Sequence, residues 1–266
     1  MAILPAAAKE AFAKSMVPKF MATRDSEGTP NIAMIATITP WDDEHLIFGD
    51  FLMWQTKKNL ENGSPVSVSV MARDLTCYEA RGRFLGFETS GDKFDAMGKI
   101  DVFRYSAFGL LRGVGTIAVD EIRPLELSII SVVKEQLLTR IAGRRPAGLP
   151  DGKKINPIVA DAFSIPKAAR FLAVSRDTHM EQFPVMGVRP VGQDYLALRP
   201  DLPLTQGDTV ATSTLTMDLR SFQIKGEYMG VMRSRGFKTG YVRVANVLSQ
   251  TPPLVSREVP ADNFKG

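Results

Sequence analysis

Two 25-residue stretches of this chain align on each other without a gap, and that repeat limits the fold more than any other feature. Gly63–Phe87 (GSPVSVSVMARDLTCYEARGRFLGF) falls on Gly207–Val231 (GDTVATSTLTMDLRSFQIKGEYMGV). Gly63, Val66, Ser69, Asp74, Leu75, Gly82 and Gly86 are met by Gly207, Val210, Ser213, Asp218, Leu219, Gly226 and Gly230. Tyr78 and Phe84 meet Phe222 and Tyr228, and Arg81 meets Lys225. Each stretch reads as an antiparallel pair of strands, with period-2 apolar positions such as Val66, Val68 and Val70 and a turn at the shared aspartate. Glycines, a turn carboxylate and aromatic residues kept in one register point to an internal duplication rather than to two unrelated β pieces.

Weaker echoes extend the repeat. Arg170–Asp177 (RFLAVSRD) follows Lys19–Asp25 (KFMATRD), Pro184–Met186 stands where Pro30–Met34 does, and Gly192–Leu198 stands where Asp42–Phe48 does. One element has no second copy. RPDLPLTQ, which precedes Gly207, leaves no room for a counterpart of Trp54–Asn62.

The remaining pattern is of short strands at close spacing, which predicts small barrels. Ala6–Met16 has helical spacing, with Ala8, Phe12 and Met16 on one face. Strands are expected at Lys19–Arg24, Asn31–Thr39, His45–Gly49, Val66–Met71, Cys77–Phe87 and Val114–Ile122, with a helix opening near Asp92. Leu125–Ile141 reads as an amphipathic helix and Ala142–Lys154 as a Gly/Pro/basic linker. The expected division is therefore a first barrel at 1–124, a helical linker at 125–168 and a second barrel at 169–266.

Composition excludes several classes. The net charge of +4 is modest, and apart from clusters at Arg140–Arg145 and Arg233–Lys238 the basic residues are scattered, so no nucleic-acid partner is expected. No apolar run approaches the roughly 20 residues that span a bilayer, the N-terminus does not read as a signal peptide, and no membrane partner is expected. A single cysteine, Cys77, allows no internal disulfide and fits a reducing compartment; the expected location is the cytoplasm. Cys77 lies in a strand-like run and reads as a buried thiol. Asp42, Asp43 and Glu44 read as a hairpin tip, because no His or Cys joins them as a metal site would need. No Ser/His/Asp constellation can be assembled.

The stretch Phe51–Val70 (FLMWQTKKNLENGSPVSVSV) carries the chemistry. Thr56 is an acceptable N-cap for a short helix, its hydroxyl available to the N–H of Lys58 or Asn59. Lys57 and Lys58 would then lie in the first turn, where the helix dipole disfavours cations. A bound phosphate would account for that placement. On spacing alone, two lysines on a solvated face is the simpler account.

Taken together, FMATRDSEGTPNIAMIATI (Phe20–Ile38), HLIFGDFLMWQTKKNLENGSPVSVSV (His45–Val70) and GRFLGFETSGDKFDAMGKI (Gly82–Ile100) resemble the FMN-binding split-barrel superfamily, the group of pyridoxamine 5′-phosphate oxidase and the small bacterial FMN-binding proteins. The resemblance covers roughly the first 120 residues. It implies a mainly β chain of two antiparallel six-stranded split barrels forming a tandem pseudo-dimer, with one FMN per chain seated between them. It implies that the phosphate meets Gln55, Thr56, Lys57, Lys58 and Asn59, that the isoalloxazine edge lies along the backbone of Met34, Ile35, Ala36 and Thr37, and that Met53 and Trp54 flank the ring. Phe103, Arg104 and Tyr105 stand where small relatives place an aromatic residue near the flavin, though ordinary packing accounts for them as well. Gly226–Gly240, basic and glycine-rich, reads as a surface loop or as one closing over the ligand.

The implied activity is an FMN-dependent oxidoreductase passing electrons between a reduced donor and a small acceptor; the alternative is a non-catalytic FMN-binding protein or electron carrier. The arginine and histidine set of true pyridoxamine phosphate oxidases has no counterpart here, so that particular activity is not expected. Relatives that bind haem or the deazaflavin F420 are less favoured, and a haem ligand would have to be His45 or His179. Partners are a small-molecule substrate or an electron-transfer protein, and a homodimer of such chains is left open.

Overall fold

The computed structural model describes residues 2–51, 53–61, 63–100, 111–142, 144–145, 147–251 and 254–261. The chain forms two compact units. The first comprises Met1–Glu126 with Ser175–Gln182, and the second Leu127–Val174 with Phe183–Gly266. Each is built on a seven-stranded antiparallel sheet.

In the first unit, helix α1 (Ala6–Ala13) precedes β1 (Lys19–Arg24), β2 (Pro30–Met34), β3 (Thr39–Pro40) and β4 (His45–Asp50). Helix α2 (Trp54–Lys58), β5 (Pro65–Met71), β6 (Cys77–Glu88), α3 (Asp92–Gly98) and β7 (Gly113–Pro124) follow. The strand order is β2-β1-β5-β6-β7-β4-β3. Beyond residue 126, α4 (Ile129–Ala142) and α5 (Pro157–Ser164) lead into the strands of the second sheet, β8 (Ala169–Ser175), β9 (Met180–Pro184, whose first three residues belong to the first unit), β10 (Arg189–Val191), β11 (Tyr195–Leu198), β12 (Thr209–Leu215), β13 (Ser221–Ser234) and β14 (Phe237–Ser249). Its order, β10-β11-β14-β13-β12-β8-β9, is the first order read from the other edge. Seven strands rather than six arise because the short β3 and β10 add one edge strand to each sheet.

The repeated residues do the same work twice. Gly63 and Gly207 sit at φ 86° and 96°, and their N–H groups donate to Phe84 O at 2.7 Å and Tyr228 O at 2.8 Å. Leu75 and Leu219 both turn at positive φ, 68° and 64°, just after the shared aspartates. Both long hairpins carry register shifts at matching points, Arg81/Gly82 and Phe84/Gly86 against Lys225/Gly226 and Tyr228/Gly230. A bulge crowds one strand onto its neighbour. A Cβ on Gly82 would lie 2.0 Å from Ala118 O, and one on Gly226 would lie 2.1 Å from Arg243 O.

Each unit has its own core. In the first, Phe12, Met21, Ile35, Ile38, Phe48 and Phe84 pack together; in the second, Phe163, Leu172, Leu196, Ile224 and Val242 do. Cys77 is buried as expected, and burial pushes its thiol well above the usual range. The first unit also encloses a carboxylate. Glu79 is fully buried and accepts from Ser67 Oγ at 2.7 Å, Gln182 N at 2.7 Å, Arg81 Nε at 3.2 Å and Arg123 Nε at 2.5 Å. Arg81 and Arg123 are shared with Glu181, at 2.7 and 3.1 Å.

Two expected elements differ. The Asn31–Thr39 strand stops at Met34, and residues 35–38 form a turn in which Ile38 N donates to Ile35 O at 3.4 Å. The turn lets Ile35 and Ile38 both enter the core, which strict alternation would forbid. Helix α1 ends at Ala13, leaving Met16 at φ 58° and 68% exposed rather than on the apolar face.

Helix α4 meets the second unit with its polar side. Thr139 Oγ1 donates to Gly187 O at 2.6 Å, and Gln136 Nε2 donates to Pro166 O at 2.8 Å. Gly187 has no room for a side chain, since a Cβ there would lie 2.6 Å from Glu135 Cγ. Glu135 is buried, and burial pushes its carboxyl up to about 7, against the pull of a hydrogen bond from Gly187 and of Arg199 and Arg170. The folded protein therefore favours the protonated acid. That contribution is complete below the ordinary glutamate range and is lost as pH climbs to about 7. Denaturant titrations should show the stability of Glu135→Gln gaining on the parent by about 2–3 kcal/mol between pH 4.5 and 7.5. Parallel pH profiles would show that Glu135 does not set this dependence.

Candidate functional site

The stretch that the sequence marks out forms the link between β4 and β5, with α2 at its centre. Its polarity is the reverse of the sequence expectation. The N-cap is Met53, which offers no side-chain cap, and Thr56 lies inside the helix. Lys57 and Lys58 fall in the last turn, where the dipole favours cations, so their placement does not in itself call for an anion. Thr56 is 3% exposed and its Oγ1 accepts from Asn31 Nδ2 at 3.2 Å. Asn59, also buried, donates through Nδ2 to Thr23 Oγ1 at 3.1 Å, and Gln55 Nε2 donates to Asn59 Oδ1 at 3.2 Å. These bonds lash the inner face of α2 to β1 and β2.

The outer face is different. Lys57 Nζ donates to Asp50 Oδ2 at 2.5 Å and lies 5.0 Å from the centre of the Phe87 ring. Asp50 is almost wholly buried, so Lys57 is committed to neutralising it. Lys58 is exposed and has no hydrogen-bond or ion-pair partner among the described residues. Trp54 is 56% exposed, with the Arg112 guanidinium 5.7 Å from its ring centre. Met53 packs against the core that contains Ile35, which ties α2 to the 35–38 turn.

At that turn, Met34 and Ala36 are half-buried and Ile35 and Thr37 are buried. Ile35 N donates to Lys19 O at 2.9 Å, Lys19 Nζ donates to Ile38 O at 2.7 Å, and Thr37 Oγ1 accepts from Gly49 N at 3.1 Å. The main-chain groups of Ala36 and Thr37 make no hydrogen bond to the described residues. Lys19 is 2% exposed, and burial pulls its ammonium down to about 8. Asp50, Lys19, Asn31 and Arg112 had no local signal in the sequence, since each reaches the site from another strand or loop.

The second unit offers a contrast at the equivalent places. Val185 N donates to Arg170 O, and Arg170 Nη1 donates to Met186 O at 2.5 Å, so Arg170 stands where Lys19 does. There the turn is covered by α4, and no helix joins β11 to β12.

Neither histidine lies on α2 or the 35–38 turn. His45 Nδ1 is 2.9 Å from Asp42, and His179 Nδ1 is 3.2 Å from Thr178 Oγ1. Asp42 is held below the usual carboxylate range by hydrogen bonds from Glu44 and His45, which outweigh its desolvation. Among the described residues no group of acids, histidines or cysteines could hold a metal ion. Phe103, Arg104 and Tyr105 lie outside the described residues.

No protein-family model matches this chain, and no curated protein matches it. Among solved structures it is similar to HupZ from Group A Streptococcus, at 28% identity over 41% of this chain and 85% of that one, with a TM-score of 0.36. It is also similar to an FMN-binding protein from Syntrophomonas wolfei, at 20% identity over 45% of this chain and 82% of that one, TM-score 0.38. A third is HutZ, the heme storage protein from Vibrio cholerae, at 16% identity over 47% of this chain and 95% of that one, TM-score 0.34. The latter two are split-barrel proteins.

Proposed function

We propose that the first unit binds FMN along the 35–38 turn and the outer face of α2, and that the chain is a flavin-dependent oxidoreductase with a small-molecule substrate or an electron-transfer protein as its partner. The observation that carries this reading is the turn itself: the main-chain groups of Ala36 and Thr37 have no partner among the described residues, and the adjoining Ile35 enters the same core against which Met53, at the head of α2, packs. A flavin edge is a row of hydrogen-bond donors and acceptors and suits such a backbone. Trp54 supplies an exposed aromatic face beside it. Lys58, exposed and without an ion-pair partner among the described residues, is the cation offered to a phosphate. Lys57 pairs with the Asp50 carboxylate and offsets its charge, so that it repels an anion less. Lys19 places a buried positive charge at the far end of the turn.

FMN, when bound, would supply one- and two-electron chemistry of its own. The chain's residues would seat it, keep one face dry and set the local charge. Haem is disfavoured by the donor set, since neither histidine reaches these elements.

The test is titration of FMN and of riboflavin, followed by flavin fluorescence. Changing Lys57 and Lys58 together to alanine should weaken FMN binding by about 2 kcal/mol, roughly 30-fold, because charge-assisted bonds to phosphate are worth about 1.5–3 kcal/mol each. Riboflavin, which lacks the phosphate, should bind both proteins alike. Of the single changes, Lys58→Ala should carry most of the loss in affinity. Unchanged FMN affinity in the double variant would move the phosphate site away from α2.

A further inference from the structure

The two basic clusters visible in the sequence, Arg140–Arg145 and Arg233–Lys238, are about 90 residues apart in the chain and meet in the second unit. Arg235 Nη1, at the tip of the β13–β14 hairpin, donates to Ile141 O in the last turn of α4 at 3.2 Å. Around that contact Arg140, Arg144, Arg233 and Lys238 are all exposed. Phe237, on the same hairpin tip, is 41% exposed.

Helix α4 itself is inside out. Its polar residues Glu135, Gln136 and Thr139 face the protein and are bonded there. Its aliphatic residues face away: Ile129, Ile130, Val133, Leu137 and Ile141 are between 37% and 80% exposed. Their spacing, three and four residues apart, places them along one side of the helix. The inward hydrogen bonds prevent α4 from rolling over to bury that side. A continuous apolar stripe of this extent marks an interaction surface.

The charge around it selects the partner. Lys134 and Arg140 are exposed on α4, while its one carboxylate, Glu135, is turned inward. A second copy of the chain docked face to face would bring like charges together with no acid on the helix to pair them. A nucleic acid would satisfy the arginines but gain nothing from the aliphatic stripe. An anionic bilayer satisfies both, taking aliphatic side chains into the acyl boundary and basic ones at the headgroups. We propose that α4 and the β13–β14 hairpin tip form a surface that adsorbs to anionic phospholipid membranes. The absence of a spanning segment does not bear on this, since adsorption requires no span.

The test is co-sedimentation of the full chain with vesicles of phosphatidylcholine, with and without phosphatidylserine, at low and high salt. Binding is expected only to the phosphatidylserine vesicles and should fall with salt. Arg140→Gln with Arg233→Gln should lower the partition coefficient about 25-fold, roughly fivefold for each charge. Ile130→Asp with Leu137→Asp should lower it at least tenfold. All four side chains are on the surface, so far-UV circular dichroism and the melting temperature should stay at the parent's values, and a variant that unfolds is replaced by Ile130→Ser. Equal sedimentation with both vesicle types would overturn the proposal. So would a dimer in analytical ultracentrifugation that the aspartate variant abolishes, or binding to duplex DNA stronger than to vesicles.

Discussion

Replacing Glu79 by alanine should cost the first unit about 3–5 kcal/mol, the range for breaking a buried charge cluster from one side. The carboxylate is the common acceptor for a hydroxyl, a main-chain N–H and two guanidinium groups, and Ser67 and Gln182 are wholly buried, so that their donors cannot reach water in its place. Its removal takes from Arg81 and Arg123 the buried carboxylate they share and leaves both guanidinium groups on Glu181. Glu79→Gln keeps the shape and one strong acceptor, so its loss should be smaller, about half. Urea denaturation followed by tryptophan fluorescence would measure both. A loss below about 1 kcal/mol for the alanine variant would mean that the cluster relaxes or that water replaces the carboxylate.

The second large effect concerns the bulge glycines. Gly82→Ala and Gly226→Ala each drive a methyl group onto a carbonyl oxygen of the adjacent strand, at 2.0 and 2.1 Å. Neither oxygen belongs to a flexible side chain, so the ladder has to open. The expected cost is about 3 kcal/mol or more in each unit, at the upper end for overpacking. Gly63→Ala is the control. It sits at φ 86° with open space around it, so it should carry only the left-handed backbone penalty of about 1–2 kcal/mol. If Gly82→Ala costs no more than Gly63→Ala, the close approach does not fix the bulge.

The fold was legible because the repeat is written in residues whose chemistry is local. A glycine at positive φ or against a neighbouring backbone, and an aspartate at a turn, show in the sequence wherever they occur. The segment around α2 was legible for the same reason, but not its inner workings. Thr56 is a good cap by local preference, yet a bond from Asn31 on β2 draws it inside the helix, and a buried tertiary bond outweighs a cap. The pairing of Lys57 with Asp50 is not legible in the sequence, because Asp50 lies at the end of another strand, out of reach of any spacing rule. The break at residues 35–38 escaped for a related reason. Ile35, Thr37 and Ile38 are β-branched residues that read as strand, and only the position of the core shows that two of them must point the same way. The inverted face of α4 could not be read at all, since helical periodicity reports that a helix has two sides but not which one meets the protein.

The first unit is not made from one uninterrupted run of chain. Gln182 gives Glu79 its main-chain donor, and Glu181 shares its arginines, although both follow residue 126 by more than fifty positions. During synthesis, Glu79, Arg81 and Arg123 emerge from the ribosome well before either residue has been made. Until then the carboxylate has its two arginines but not its amide, and the cluster can close only once the first strand of the second, similar sheet, β8, and the start of β9 have been translated. The nascent chain thus waits on a distant strand to complete its first hairpin, and that strand arrives before the near-copy of the hairpin at β12 and β13 has been made.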